Sequence, residues 1–294
     1  MITKILDAGG HGDYTTLDNL LSTFLATPLT DDVTIKMRTD TSREYGSSDN
    51  ASHGILFNGS SGVASNGYTI RFTTHENYRS VPAVLLGSFI NYCEDDGDMI
   101  FDHIKIRVLN DNRIFGMQND SSVQYKNCVI YINGYLNTII DQFGTTPSKF
   151  SIFNNCSIFA SNNGSIDMGT LSIKENIKSH NSLFCGYNTY GDGEVSFNFY
   201  GSGNTNYNNA IYNYAMGSGG VTAGFNIDGG DATMVGSMEN INPNLHDEVI
   251  QARGDKTDTM AARNEKITSL STCLINNAYE SLAETDDING SLRF

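Results

Sequence analysis

The chain has no tryptophan and only four prolines in 294 residues. So little proline excludes a proline-rich linker, which needs that residue to hold an extended conformation. Charge is scarce as well, at 17% of residues, and lopsided: 18 lysines and arginines stand against 33 aspartates and glutamates, a formal net charge of −15. A chain this acidic lacks the basic face that phosphate backbones require and would be repelled by an anionic bilayer, so neither nucleic acid nor membrane is an expected partner. No apolar run approaches the roughly 20 residues of a membrane-spanning helix. The five cysteines are odd in number and too thinly spread for a disulfide framework. The stretch Met1-Ile2-Thr3-Lys4-Ile5-Leu6-Asp7 shows neither the apolar core nor the cleavage site of a secretory leader. The expected setting is therefore inside a cell, or in something that leaves a cell by another route, such as a virus particle.

The polarity that charge does not supply comes from Asn, Gly, Ser and Thr, beside an aromatic content of 10%. That is the composition of a strand- and turn-rich protein rather than of a helical bundle. The length allows a substantial core, in one long domain or two ordinary ones. An acidic surface could hold divalent cations, calcium being the one cofactor to consider, but keeping the protein soluble at high local density is its simpler use.

Between Gln124 and Tyr212 one phrase keeps returning. Lys126-Asn127-Cys128-Val129-Ile130-Tyr131 is followed by Asn154-Asn155-Cys156-Ser157-Ile158-Phe159, then by His180-Asn181-Ser182-Leu183-Phe184 and Asn208-Asn209-Ala210-Ile211-Tyr212. Asp102-His103-Ile104-Lys105-Ile106 fits as an earlier, looser copy. The anchors 103, 127, 155, 181 and 209 are spaced by 24, 28, 26 and 28 residues, a period of stacked architectures. Each repeat has room for about three short strands and their turns. In a parallel β-helix, like residues would lie above like: asparagines at left-handed corners, hydrogen-bonded along the axis. Cys128 and Cys156 would stack as small buried side chains, and positions 130, 158, 184 and 212 would form an inward Ile-Ile-Phe-Tyr column.

The expected fold is all-β: a single-stranded right-handed parallel β-helix with an N-terminal capping helix. Residues 1–32 would be a loop and that helix, with Thr16 as N-cap and Leu17, Leu20, Leu21, Phe24 and Leu25 on its apolar face. Residues 33–245 would form the coil. Its early strands would be Val33–Arg38, Gly54–Phe57, Tyr68–Phe72, Val81–Ile90 and Met99–Val108. Residues 246–294 would be an irregular segment packing on the coil, with a short helix near Thr259–Lys266.

Three segments resemble right-handed parallel β-helix proteins of the pectin lyase-like superfamily. Gly12-Asp13-Tyr14-Thr15-Thr16-Leu17 resembles the entry into their capping helix, and the Asn-Cys-x-Ile phrases resemble their corners. Ser269 to Ala278 followed by Thr285 to Arg293 resembles a C-terminal signature of bacterial surface β-helix proteins, approximately "SPCINAG … TDINGNPR". The resemblance implies the fold across nearly the whole chain. It leaves function open, because such coils carry lyases, hydrolases, esterases and inert spikes alike.

Candidate chemistry concentrates around Glu94-Asp95-Asp96 and Asp98, beside the repeat containing His103, Lys105 and Arg107. Paired carboxylates suit glycoside hydrolysis, and a lysine or arginine base with a charge-neutralising cation suits a polysaccharide lyase. The plainer reading of Asp95, Asp96, His103, Lys105 and Arg107 is a solvated loop followed by an alternating strand. His11, between Gly10 and Gly12, resembles the GHG triplet of polygalacturonases but precedes the first repeat and reads as a loop residue. Tyr187, Tyr190, Tyr200 and Tyr207 crowd one region with Asn and Gly, a composition that suits glycan or protein contact. No Cys/His metal spacing is present. The expectation is a non-enzymatic structural or adhesive virion component of a phage, a homo-oligomer for which a trimer is one arrangement, with virion proteins or a cell-surface glycan as partners. A polysaccharide lyase or depolymerase, and an extracellular or cell-surface location, are the alternatives.

Overall fold

In the computed structural model, side chains are described for residues 1–40, 42, 44–46, 65–86, 97–107, 122–131, 152–158 and 182. Beyond these the backbones of further strands are described as far as Glu239. The segment 246–294, with its anticipated helix, lies outside the described residues.

The described chain is strand-rich, and every strand pairing in it is parallel. Parallel neighbours cannot be joined by tight hairpins, so each chain segment must travel away and return before pairing. The strands sort accordingly. A nine-stranded first sheet runs from Ile2–Leu6 through Val33–Met37, Ile70–Thr74, Asp98–Asp102, Ser122–Lys126 and Ser151–Asn154 to Thr233–Val235. An eight-stranded second sheet runs from Glu44–Gly46 through Ala83–Gly87, Ile104–Leu109, Val129–Asn133 and Ser157–Asn162 to Met238–Glu239. A four-stranded third sheet contains Leu56–Phe57, Asn91–Cys93, Arg113–Gln118 and Thr138–Phe143.

The two large sheets advance in step. Met99 pairs with Val123, and Lys105 with Val129, each 24 residues on. The next partners, Gln124 with Ile152 and Val129 with Ser157, are 28 apart, and the following pairs 26 apart. The strand of the first sheet is joined to that of the second by the two residues 127–128, then again by 155–156. Length variation is taken up on the longer return path.

The core lies between the sheets. Phe72, Phe101, Tyr125 and Phe153 occupy successive positions of one inward column. Their rings stack at centroid separations of 5.7, 5.2 and 5.1 Å, with interplanar angles of 19, 5 and 16°. Aromatic faces placed one above another at strand spacing bury large apolar area with little loss of rotamer freedom. Ile106, Ile130 and Ile158 form the matching column of the second sheet.

The entrance to the fold departs from the expected pattern. Thr16 caps the helix, its Oγ1 accepting from the Asn19 N–H at 3.1 Å. After Leu17–Asn19, however, the chain widens into a π-helical turn over Leu20–Phe24. Leu17, Leu20 and Leu25 enter the core, with Leu21 and Phe24 packed against it. The sheet itself begins at Ile2–Leu6, paired with Val33–Met37, ahead of the boundary anticipated at residue 33.

Two further expectations need correction. Met99–Val108 is not one strand: it breaks at His103, whose φ of +52° turns the corner. In the later repeats, Leu183 pairs with Ala210, 27 residues on, so Phe184 pairs with Ile211 and not with Tyr212. The register therefore runs Ile130, Ile158, Phe184, Ile211, with Ile211 in the place expected for Tyr212. The repeat in the sequence does not fix register to the residue, and the pairing of the strands does.

Candidate functional site

The most concentrated polar chemistry among the described residues lies at the corner between the two large sheets. Three successive corner residues, His103, Asn127 and Asn155, have φ of +52, +51 and +59°. This left-handed conformation is costly for most side chains and least so for Asn and other short polar residues. The backbone is stitched at each level: His103 N–H donates to the Lys126 carbonyl, and Asn127 N–H to the Asn154 carbonyl, both at 3.1 Å.

The side chains continue the stitching. Asn155 Nδ2 donates to Asn127 Oδ1. Asn127 Nδ2 lies 3.5 Å from His103 Nε2, and His103 Nδ1 lies 2.7 Å from Asp102 Oδ1. The other Asp102 oxygen accepts from Arg71 at 2.8 Å. Read from Asn155 onward, each amide donates toward the next residue, which directs Nε2 to accept and Nδ1–H to face the carboxylate. Thr74 locks the same corner from the end of the neighbouring strand: its Oγ1 donates to the His103 carbonyl and accepts from Ala83 N–H at 2.9 Å.

Burial would raise the Asp102 carboxyl, but the hydrogen bond from His103 and the positive charges of Arg71 and Arg79 outweigh it and hold it below the usual carboxylate range. The row is thus a buried anion met by a guanidinium at one end and by an imidazole and an amide ladder at the other. Cys128 and Cys156 sit beside it, both buried, and burial pushes the Cys128 thiol well up. Raised this way, it is a packing group rather than a nucleophile.

The candidates named from sequence separate. His103 is 3% exposed and turned into the corner ladder. Lys105 is 5% exposed, and Arg107 is half-buried on the same strand. Asp95 and Asp96 lie outside the described residues, while Asp98 accepts from the Ser122 hydroxyl at 2.8 Å. Tyr187 is in the second sheet, Tyr200 in a separate two-stranded sheet with Phe225–Asp228, and Tyr207 in the first sheet. Their strands thus belong to three different sheets, and Tyr190 lies outside the described residues. His11 is exposed in its loop, where its N–H and that of Gly9 donate to the buried Asp7 carboxylate at 3.0 and 2.9 Å. Among the described residues, no group of three or more His, Cys, Asp or Glu is placed to hold a metal ion.

Sequence reasoning missed the roles of Asp102 and Arg71. Asp102 precedes the corner as Lys126 and Asn154 do in later repeats, so a position that varies in chemistry hid a buried carboxylate paired with a half-exposed arginine. Comparison of the chain with protein-family models, with curated proteins and with solved structures finds no match.

Proposed function

We propose that the chain is wound as a single-stranded right-handed parallel β-helix, closed at its start by the N-terminal helix. In this reading it serves as a rigid, non-enzymatic structural or adhesive component of a phage particle. Support for the coil is the equal advance of the two large sheets, which a continuous winding produces without further assumption. Crossovers between parallel strands are right-handed in nearly all proteins, which sets the hand.

The observation that carries the structural role is the corner ladder. The residues with the best acid–base chemistry, Asp102 and His103, are buried and spent on holding successive turns of chain together. A proton-transfer group must reach its substrate, and these reach only the scaffold. The net charge of −15 suits many copies held soluble at high local concentration.

The test has two arms. Sedimentation of the purified chain is expected to show a homo-oligomer, and mass spectrometry of purified particles is expected to find it as a component. A monomer at high concentration, with no particle association, would sink the reading. Release of unsaturated ends from a uronate-containing polysaccharide, abolished by Arg107→Ala, would replace it with a lyase.

A further inference from the structure

The first sheet begins with a strand that has a described neighbouring strand on one side only. Ile2–Leu6 is the outermost strand in the order of that sheet and pairs with Val33–Met37. Ile2 N–H donates to the Asp32 carbonyl and the Leu6 carbonyl accepts from Arg38 N–H, so the even-numbered residues bond toward that neighbour. The backbone groups of Ile5 and Asp7 therefore point the other way, where an open edge is a template for a further chain. Ile2-Thr3-Lys4-Ile5-Leu6 carries one charge and is rich in β-branched residues, a composition that pairs readily with its own kind.

The N-terminal helix does not cover this edge: Leu17, Leu20 and Leu25 close the apolar end of the core instead. The backbone is covered by Gly12, Asp13 and Tyr14. Asp13 Oδ2 accepts from Ile5 N–H at 2.8 Å. The Ile5 carbonyl accepts from Asp13 N–H at 2.8 Å and from Tyr14 N–H at 3.1 Å, and Asp7 N–H donates to the Tyr14 carbonyl at 2.8 Å. Tyr14 stands opposite Leu6 in a single parallel bridge. These three residues thus imitate a neighbouring strand over the outward groups of Ile5 and Asp7.

Side chains latch them in place. The Asp7 carboxylate holds the N–H groups of Gly9 and His11 at the start of the loop. Lys4 Nζ lies 3.7 Å from Asp13 and 5.3 Å from the centre of the Phe24 ring, and the Tyr14 ring packs on Phe24 at 6.3 Å. The approach also needs glycine at position 12, where a Cβ would lie 2.6 Å from the Ile5 carbonyl oxygen. We propose that Gly12–Tyr14 is a removable guard over the edge of Ile2–Leu6, and that this edge, once uncovered, pairs with the same edge of a second copy of the chain.

The test follows amide exchange residue by residue by NMR, and association by sedimentation velocity over a range of concentrations, on the full chain. In the unsubstituted protein the Ile5 and Asp7 amides should exchange slowly. In Gly12→Val both should exchange roughly tenfold or more faster, while the amides of Ile35 and Phe72 in the core strands keep their protection. The sedimentation coefficient of the variant should then rise with concentration beyond that of the unsubstituted chain. This added association is read relative to the unsubstituted chain, so it is distinguishable from any homo-oligomer of the intact protein. Asp13→Ala, which removes one bond to the strand and leaves position 12 alone, should act in the same direction. Fast exchange at Ile5 and Asp7 in the unsubstituted protein, unchanged exchange in both variants, or an uncovered edge without added association would overturn the proposal. Loss of core protection in both variants would overturn it too, because Gly12–Tyr14 would then belong to the folding core.

Discussion

Replacing Asn127 with alanine tests the corner ladder at its centre. Asn127 is 2% exposed, holds φ +51°, accepts from Asn155 and approaches His103 at 3.5 Å. Losing the amide–amide bond costs about 1 kcal/mol, and taking away the acceptor that Asn155 uses inside the corner costs about 1–2 more. The contact to His103 is at the limit of a hydrogen bond and adds little. Alanine must also hold the left-handed backbone without a polar side chain to support it, for about 1 kcal/mol. The total expected for Asn127→Ala is therefore about 3–4 kcal/mol. Asn127→Gly removes the same bonds but takes the left-handed backbone without strain, so its loss should be about 1 kcal/mol smaller. Both are measured by urea unfolding followed by far-UV circular dichroism and tyrosine fluorescence, whose coincidence checks for a single transition. A loss below about 1 kcal/mol in Asn127→Ala would show that the ladder bonds are incidental. A larger loss with glycine than with alanine would refute the role given to the backbone.

Tyr125→Ala removes a fully buried ring stacked on Phe101 and Phe153, and should cost about 3–5 kcal/mol in the same unfolding experiment; a cost under about 1 would mean the column is loosely packed. Gly46→Ala would put a Cβ 2.0 Å from the Leu86 carbonyl oxygen at φ +130°, so the pairing of Glu44–Gly46 with Ala83–Gly87 should fail. An unchanged melting temperature would contradict that. Asp102 has a carboxyl held below its unfolded value, so its contribution is present above about pH 4 and lost as pH falls through the folded pKa. Asp102→Asn should flatten the acid limb of a stability–pH profile below about pH 4, and an unaltered limb would show that the carboxylate is not ionised in the fold.

Much of this was legible in the repeat. Asparagine recurring ahead of a small residue and an aliphatic one predicted a left-handed corner, and Asn127 and Asn155 adopt it. The free cysteines at the next position are buried in both repeats. Helix capping by Thr16 could be read from local chemistry, because the bond spans three residues. Legibility ended where distant residues decide. The Arg71–Asp102 pair joins positions 31 apart, and Arg71 lies outside the recurring phrase that contains Asp102. Nor does composition distinguish a histidine facing substrate from one facing Asn127. The first strand was missed for a similar reason: Ile2–Leu6 becomes a strand by pairing with Val33–Met37, across a helix that intervenes in sequence. The one-residue slip from Ile211 to Tyr212 came from aligning a loose copy of the phrase without a partner strand to fix the register.

The two-residue joints at 127–128 and 155–156 also bear on how such a chain can change in evolution. Because both large sheets advance by the same count in each of these repeats, a block of 24 to 28 residues is closed on itself: it enters and leaves at equivalent points. Duplicating or deleting one whole block would preserve the aromatic column, the cysteine stack and the corner row together. A single extra residue at a joint would disturb all three, while the same insertion in the return path would disturb none. The molecule can thus be lengthened by copying a block and varied through its return loops, and its narrow corner is the place where it tolerates least.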